Sequence, residues 1–179
     1  VNINTPGDSP GNFATLRHLT LNGNVGQFTI PPGTYGDFTA NGGSGFTLGV
    51  AGATTPSVYN FQRLSLNGQS QLQVVGPVIV TVANGFSANG TLGSSAHSAW
   101  LTLNLYSGGF TLNGGCNVFG TVNTPNGTLT LNGNSQLVGG ATCDRLTVNG
   151  GGLLRLAAAT GGNTAPVAHD QTIALAEDT

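Results

Sequence analysis

One five-residue phrase, repeated seven times, constrains this chain more than any other feature. Each copy reads apolar, hydroxyl, apolar, Asn, Gly, as in Leu129-Thr130-Leu131-Asn132-Gly133. The copies begin at Leu19, Phe38, Leu64, Phe86, Phe110, Leu129 and Leu146, at steps of 19, 26, 22, 24, 19 and 17 residues. Recurrence in this range marks a stacked repeat architecture, in which each unit buries its apolar face only against its neighbours. Alternation within a copy points Leu129 and Leu131 inward and Thr130 outward. Asn132 and Gly133 end the strand, because both residue types tolerate left-handed backbone angles. So short a strand is unstable alone, but copies stacked about 4.8 Å apart pair along both edges. The expected fold is therefore all-β: a single-stranded parallel β-helix with one coil for each of the seven copies. Its Asn-Gly corners stack, and Asn22, Asn41, Asn67, Asn89, Asn113, Asn132 and Asn149 form one hydrogen-bonded ladder.

Around this core the chain divides into three parts. Residues 1–15 are rich in Pro, Gly and Asn, with Phe13 as the large apolar group, and are expected to cap the N-terminal end. Residues 16–159 form the β-helix. Further strands are expected at Gln27–Ile30, Phe46–Leu48, Leu72–Val74, Val78–Val82 and Trp100–Tyr106, with a loop at Ala51–Val58. Residues 160–179 change character: a linker, then a strand at Thr172, Ile173, Ala174 and Leu175, with half of the six acidic residues at Asp170, Glu177 and Asp178.

Composition removes several function classes. Charged residues make up only 6% of the chain, against about 25% in ordinary domains. A net charge of -2 with four cations gives no electrostatic footprint for nucleic acid. No apolar run approaches the roughly 20 residues that span a bilayer. A start at Val1 reads as a processed secretory protein, the alternative being an excised piece of a longer one. Cys116 and Cys143 fall at opposite ends of the repeating strand, beyond the roughly 7 Å that a disulfide tolerates. Both are expected to be buried free thiols with no metal or redox role.

Two resemblances follow. Gly33-Thr34-Tyr35, the run from Ser57 to Gly68 and Gly76-Pro77-Val78 carry phrases similar to the parallel β-helix repeat domains of secreted bacterial surface proteins. This likeness extends to Leu156, about two-thirds of the chain, and implies a right-handed coil and a place at the cell surface. Asn163-Thr164-Ala165-Pro166-Val167-Ala168, with Asp170 and Glu177-Asp178-Thr179, resembles the first strand of cadherin-like or Ig-like bacterial repeats. That implies a further module, or a strand that joins a neighbouring subunit.

Catalysis finds little to work with. Many β-helices cleave polysaccharides, which takes paired carboxylates about 5 to 9.5 Å apart. Outside the tail there are only Asp8, Asp37 and Asp144, and the last two are expected on the order of 20 Å apart at one strand spacing per coil. No catalytic residue, metal or cofactor is expected. His18, Asp37 and Arg63 each precede a motif and share one outward column, which reads as a surface ion-pair ladder. The outward hydroxyls of Thr20, Thr39, Ser65, Ser87, Thr111, Thr130 and Thr147 form a regular face, structural in the first instance. Thr111 and Thr130 are its candidate ligand contacts. Trp100 and Tyr106 flank a strand and are candidate sugar-stacking groups.

The leading expectation is a non-enzymatic extracellular protein that assembles with itself head to tail into a filament or surface layer, or joins adjacent modules of a larger protein. The alternative is a glycan-binding or ice-binding module of a surface adhesin, and the remote one a polysaccharide lyase or hydrolase.

Overall fold

The computed structural model describes residues 1–157. Its strands in chain order are β1 (Asn2–Ile3), β2 (Leu19–Leu21), β3 (Gln27–Thr29), β4 (Gly33–Ala40), β5 (Gly45–Leu48), β6 (Ser57–Leu66), β7 (Gln71–Val74), β8 (Val78–Val82), β9 (Phe86–Ala88), β10 (Thr91–Gly93), β11 (Leu101–Leu105), β12 (Phe110–Leu112), β13 (Asn117–Leu131), β14 (Gln136–Val148) and β15 (Leu153–Arg155). Every pairing between them is parallel. This is a parallel β-helix, a solenoid of repeated coils.

The pairings form three stacks. The motif stack runs through β1, β2, the C-terminal halves of β4 and β6, then β9, β12 and the C-terminal parts of β13 and β14. A second runs β3, β5, β7, β10, the starts of β13 and β14, and β15. The third contains the starts of β4 and β6, then β8, β11 and the middle of β13 and β14.

The core is the inside of this tube. Leu19, Leu21, Phe38, Leu64, Leu66, Phe110, Leu112, Leu129 and Leu131 are fully buried, as the alternation requires. Tyr35 and Phe61 stack with ring centroids 5.5 Å apart, and Phe38 packs on both. Tyr35 donates its hydroxyl hydrogen to the Pro31 carbonyl at 2.6 Å, and the buried Tyr59 oxygen accepts the Gly49 N–H at 2.8 Å. Burial raises both phenol pKa values, with the neighbouring Tyr59 adding to the effect at Tyr35.

Several expectations need correction. Val1-Asn2-Ile3-Asn4 is an additional rung of the motif stack, with Asn2 opposite Thr20 and Ile3 opposite Leu21. The rest of the segment expected to cap this end includes Phe13, edge-on to Tyr35 at 6.4 Å, and just beyond it Leu16 is buried. Trp100 is not in a strand: it ends a short 3-10 turn, Ser98–Trp100, and β11 begins after it. Phe86 is half-buried against Phe110. Cys116 is a buried free thiol, but Cys143 is only half-buried, because it lies in the outermost coil. The expected tail strand at Thr172, Ile173, Ala174 and Leu175 lies outside the described residues.

The corners also work differently from expectation. The motif Asn residues do not adopt left-handed angles; Gly42, Gly68, Gly114, Gly133 and Gly150 do, each with the residue after it, as in φ of 57° at Gly133 and 61° at Asn134, whereas Gly23 and Gly90 do not. The Asn is there for its side chain. Three residues beyond it four copies carry a small inward residue, Ser44, Ser70, Cys116 or Ser135, all buried, where two others carry the buried Val25 and Leu92. Ser44 shows why. Its Oγ accepts the Val25 N–H at 3.0 Å and donates to the Asn22 carbonyl at 2.8 Å, tying two coils together inside the corner.

Candidate functional site

Four regions place the candidate residues. On the motif face, the hydroxyl column is in continuous register: Thr20 beside Thr39, Thr39 beside Ser65, Ser65 beside Ser87, and Thr111 beside Thr130 and then Thr147. Two residues along runs the Asn column. Asn22 donates to Asn4 at 2.6 Å, Asn67 to Asn41 at 3.1 Å, Asn132 to Asn113 at 3.1 Å and Asn149 to Asn132 at 3.1 Å. The ladder thus begins one rung earlier than the motif does. The expected single ladder is broken: no side-chain bond joins Asn22 to Asn41, and none reaches Asn89, although the Asn41 and Asn89 backbone N–H groups still donate to the Leu21 and Leu66 carbonyls.

At one end of this face, Asp37 lies between His18 and Arg63, at 3.8 Å and 3.9 Å. All three side chains are well exposed, so the Arg63–Asp37 pair is a solvated one contributing about 0 to 1 kcal/mol, while His18 Nδ1 accepts the Asp37 backbone N–H at 3.4 Å. Asp144 and Arg145 are exposed in the last motif coil, far along the stack. Among the described residues no group of three or more His, Cys, Asp or Glu could hold a metal ion. No helix among them is long and apolar enough to cross a membrane.

The two aromatic candidates are not brought together. They lie beyond opposite ends of β11, roughly 20 Å apart along an extended strand. Trp100 is half-buried against the core, and its ring is covered by His97, parallel to within 13° and centred 3.9 Å away. That face is therefore not open to a sugar. Tyr106 is 81% exposed, beside a hollow of about 370 Å³ lined by Asn104, Asn123, Pro125 and Asn126. Asn123 donates to Asn104 at 2.9 Å there, a second short amide ladder.

The C-terminal end of the stack is the region the motif pattern did not reveal. β15 pairs only with Gln136 to Val138 of β14. From Gly140 to Val148, β14 has β13 on one side and no strand partner on the other among the described residues. Its inward positions are consequently uncovered. Leu146 is 44% and Val148 47% exposed, although both occupy core positions of the motif. Leu153, Leu154 and Leu156 are exposed beside them. The N-terminal end differs, because Phe13 and Leu16 close its core while the outer edge of β1 has no strand partner among the described residues.

No family model, curated protein or solved structure matches the chain.

Proposed function

We propose that this chain is a non-enzymatic structural protein of the cell exterior whose β-helix assembles with itself, head to tail, into a filament or surface layer. The observation that carries this reading is the uncovered coil at the C-terminal end. Among the described residues, Leu146 and Val148 sit at core positions without a core over them, beside an unpaired strand edge. Exposed apolar edges of this kind are templates for pairing with another chain. A contact between unlike ends that lie at opposite ends of the stack repeats along the stack axis, so it yields a filament. The scarcity of charge supports the reading, since charged edge residues are a usual defence against such pairing. Placement outside the cell rests on the resemblance to surface-protein repeats and on composition. Size-exclusion chromatography with light scattering over a concentration series tests it. Mass rising with concentration is expected, and a monomer throughout overturns the reading.

A second reading, a glycan-binding module, is favoured by Tyr106, an exposed ring beside amide side chains, the usual pairing of apolar face and polar contacts in a sugar site. It predicts that Tyr106→Ala abolishes retention on an insoluble polysaccharide and that Trp100→Ala does not.

A further inference from the structure

We infer that the joint between copies continues the motif stack in register, with β1 of one copy pairing on the outer edge of β14 of the copy before it. This rests on the self-assembly reading and specifies its contact.

The first ground is the direction of the amide ladder. In each of its side-chain bonds the later Asn donates Nδ2 to the Oδ1 of the earlier one: Asn22 to Asn4, Asn67 to Asn41, Asn132 to Asn113, Asn149 to Asn132. The other amide contacts between coils run the same way, from Asn60 to Thr34, Asn84 to Gln62 and Asn123 to Asn104. The side-chain bonds are interrupted between Asn22 and Asn41 and on both sides of Asn89, but every bond formed has the same direction, so the column has unlike ends. Asn4 uses its Oδ1 within the stack, which leaves Nδ2 as the terminal donor. Asn149 uses its Nδ2, which leaves Oδ1 as the terminal acceptor. The two ends are complementary to each other and neither is complementary to itself, which selects a head-to-tail contact over a two-fold one.

The second ground is register. Asn2 pairs with Thr20 and Ile3 with Leu21 inside the chain. The same register against the last coil sets the next copy's Val1 on Leu146, Asn2 on Thr147, Ile3 on Val148 and Asn4 on Asn149. Apolar meets apolar at Val1 and Leu146, which are 55% and 44% exposed in the single chain. The backbone follows the internal rule too. Within the chain Thr20 N–H donates to the Val1 carbonyl and Asn22 N–H to the Ile3 carbonyl. Across the joint the next copy's Asn2 and Asn4 N–H groups meet the Leu146 and Val148 carbonyls. Beside Val1 a hollow of about 490 Å³, lined by Pro10, Thr15 and Leu16 among others, gives the incoming apolar side chains room.

Disulfide trapping tests the joint on the full chain, with Cys116 and Cys143 first replaced by Ser. Asn2→Cys and Thr147→Cys are made as separate variants and mixed under mild oxidation. In-register neighbours fall within the roughly 7 Å that a bridge needs, so the mixture is expected to give about tenfold more covalent heterodimer than Asn2→Cys mixed with Thr111→Cys. Circular dichroism confirms that each variant keeps its β signal. If the unmodified chain assembles but the 2–147 pair traps no more than the 2–111 pair, the joint is wrong and self-assembly stands. If the unmodified chain is monomeric at every concentration, both are wrong.

Discussion

Leu129 and Leu146 are register partners in adjacent coils, and the first is fully buried while the second is 44% exposed. Their chemistry is the same; only the number of covering coils differs. Leu129→Ala should therefore destabilise the monomer by about 3 kcal/mol, within the usual range for a buried Leu. Leu146→Ala should cost about 1 kcal/mol or less, because much of its surface is already in water. Urea unfolding at low protein concentration checks the ordering. Leu146→Asp should leave the fold intact and suppress assembly, read as a shift to monomer by light scattering.

Asn132 is the busiest rung of the ladder, donating to Asn113 and accepting from Asn149, both at 3.1 Å. Asn132→Ala should destabilise by about 1 to 2 kcal/mol, at roughly 1 kcal/mol per net hydrogen bond lost. Asn89 takes part in none of the side-chain ladder bonds, so Asn89→Ala should change stability by less than half as much. Equal losses at the two sites in urea melts would mean that the side-chain ladder contributes nothing.

The corner column makes a sharper contrast. Ser44→Val strands the Val25 N–H, which now donates to the Ser44 hydroxyl inside the corner. An unpaired buried donor costs about 1 to 3 kcal/mol. Cys116 fills the equivalent position in a later coil, its N–H donating to the Asn113 carbonyl as Ser44 N–H does to Asn41. Cys116→Ser should therefore be tolerated, with a loss below about 1 kcal/mol, a conservative swap into a site that accepts Ser elsewhere. Thermal melts of the two variants give the comparison.

Alkali should weaken the fold. Burial raises the pKa of Cys116 above 9.0 and those of Tyr35 and Tyr59 above 10.0. Each group binds its proton more tightly folded than unfolded, so its contribution is complete below the unfolded pKa and is lost as pH rises through the folded one. Urea midpoints should be flat from pH 7 to 8 and fall above about 9, first through the thiol and then through the phenols. The Cys116→Ser variant should lose the earlier part of that fall.

Much of this architecture is legible in the sequence because the motif recurs once per coil. A fixed motif sets register, which is why the sequence alone places His18, Asp37 and Arg63 in one column. Val1-Asn2-Ile3-Asn4 escapes the same reading because it lacks both the hydroxyl and the glycine, although Asn4 keeps the ladder. The signal that finds it is the apolar-Asn spacing alone. Trp100 reads as strand because it precedes an alternating run, and its 3-10 turn belongs to an irregular corner with no repeat to compare. The exposure of Leu146 and Val148 cannot be read from a motif at all. It reflects their place in the outermost strand of the motif stack among the described residues, not their residue type.

The most direct test of the central claim is cryo-electron microscopy of the full chain at high concentration. Continuous fibres with strands perpendicular to the axis at about 4.8 Å, and an axial repeat near 40 Å for eight rungs from Asn4 to Asn149, are the predicted result. Discrete particles of a single chain at every concentration would contradict it.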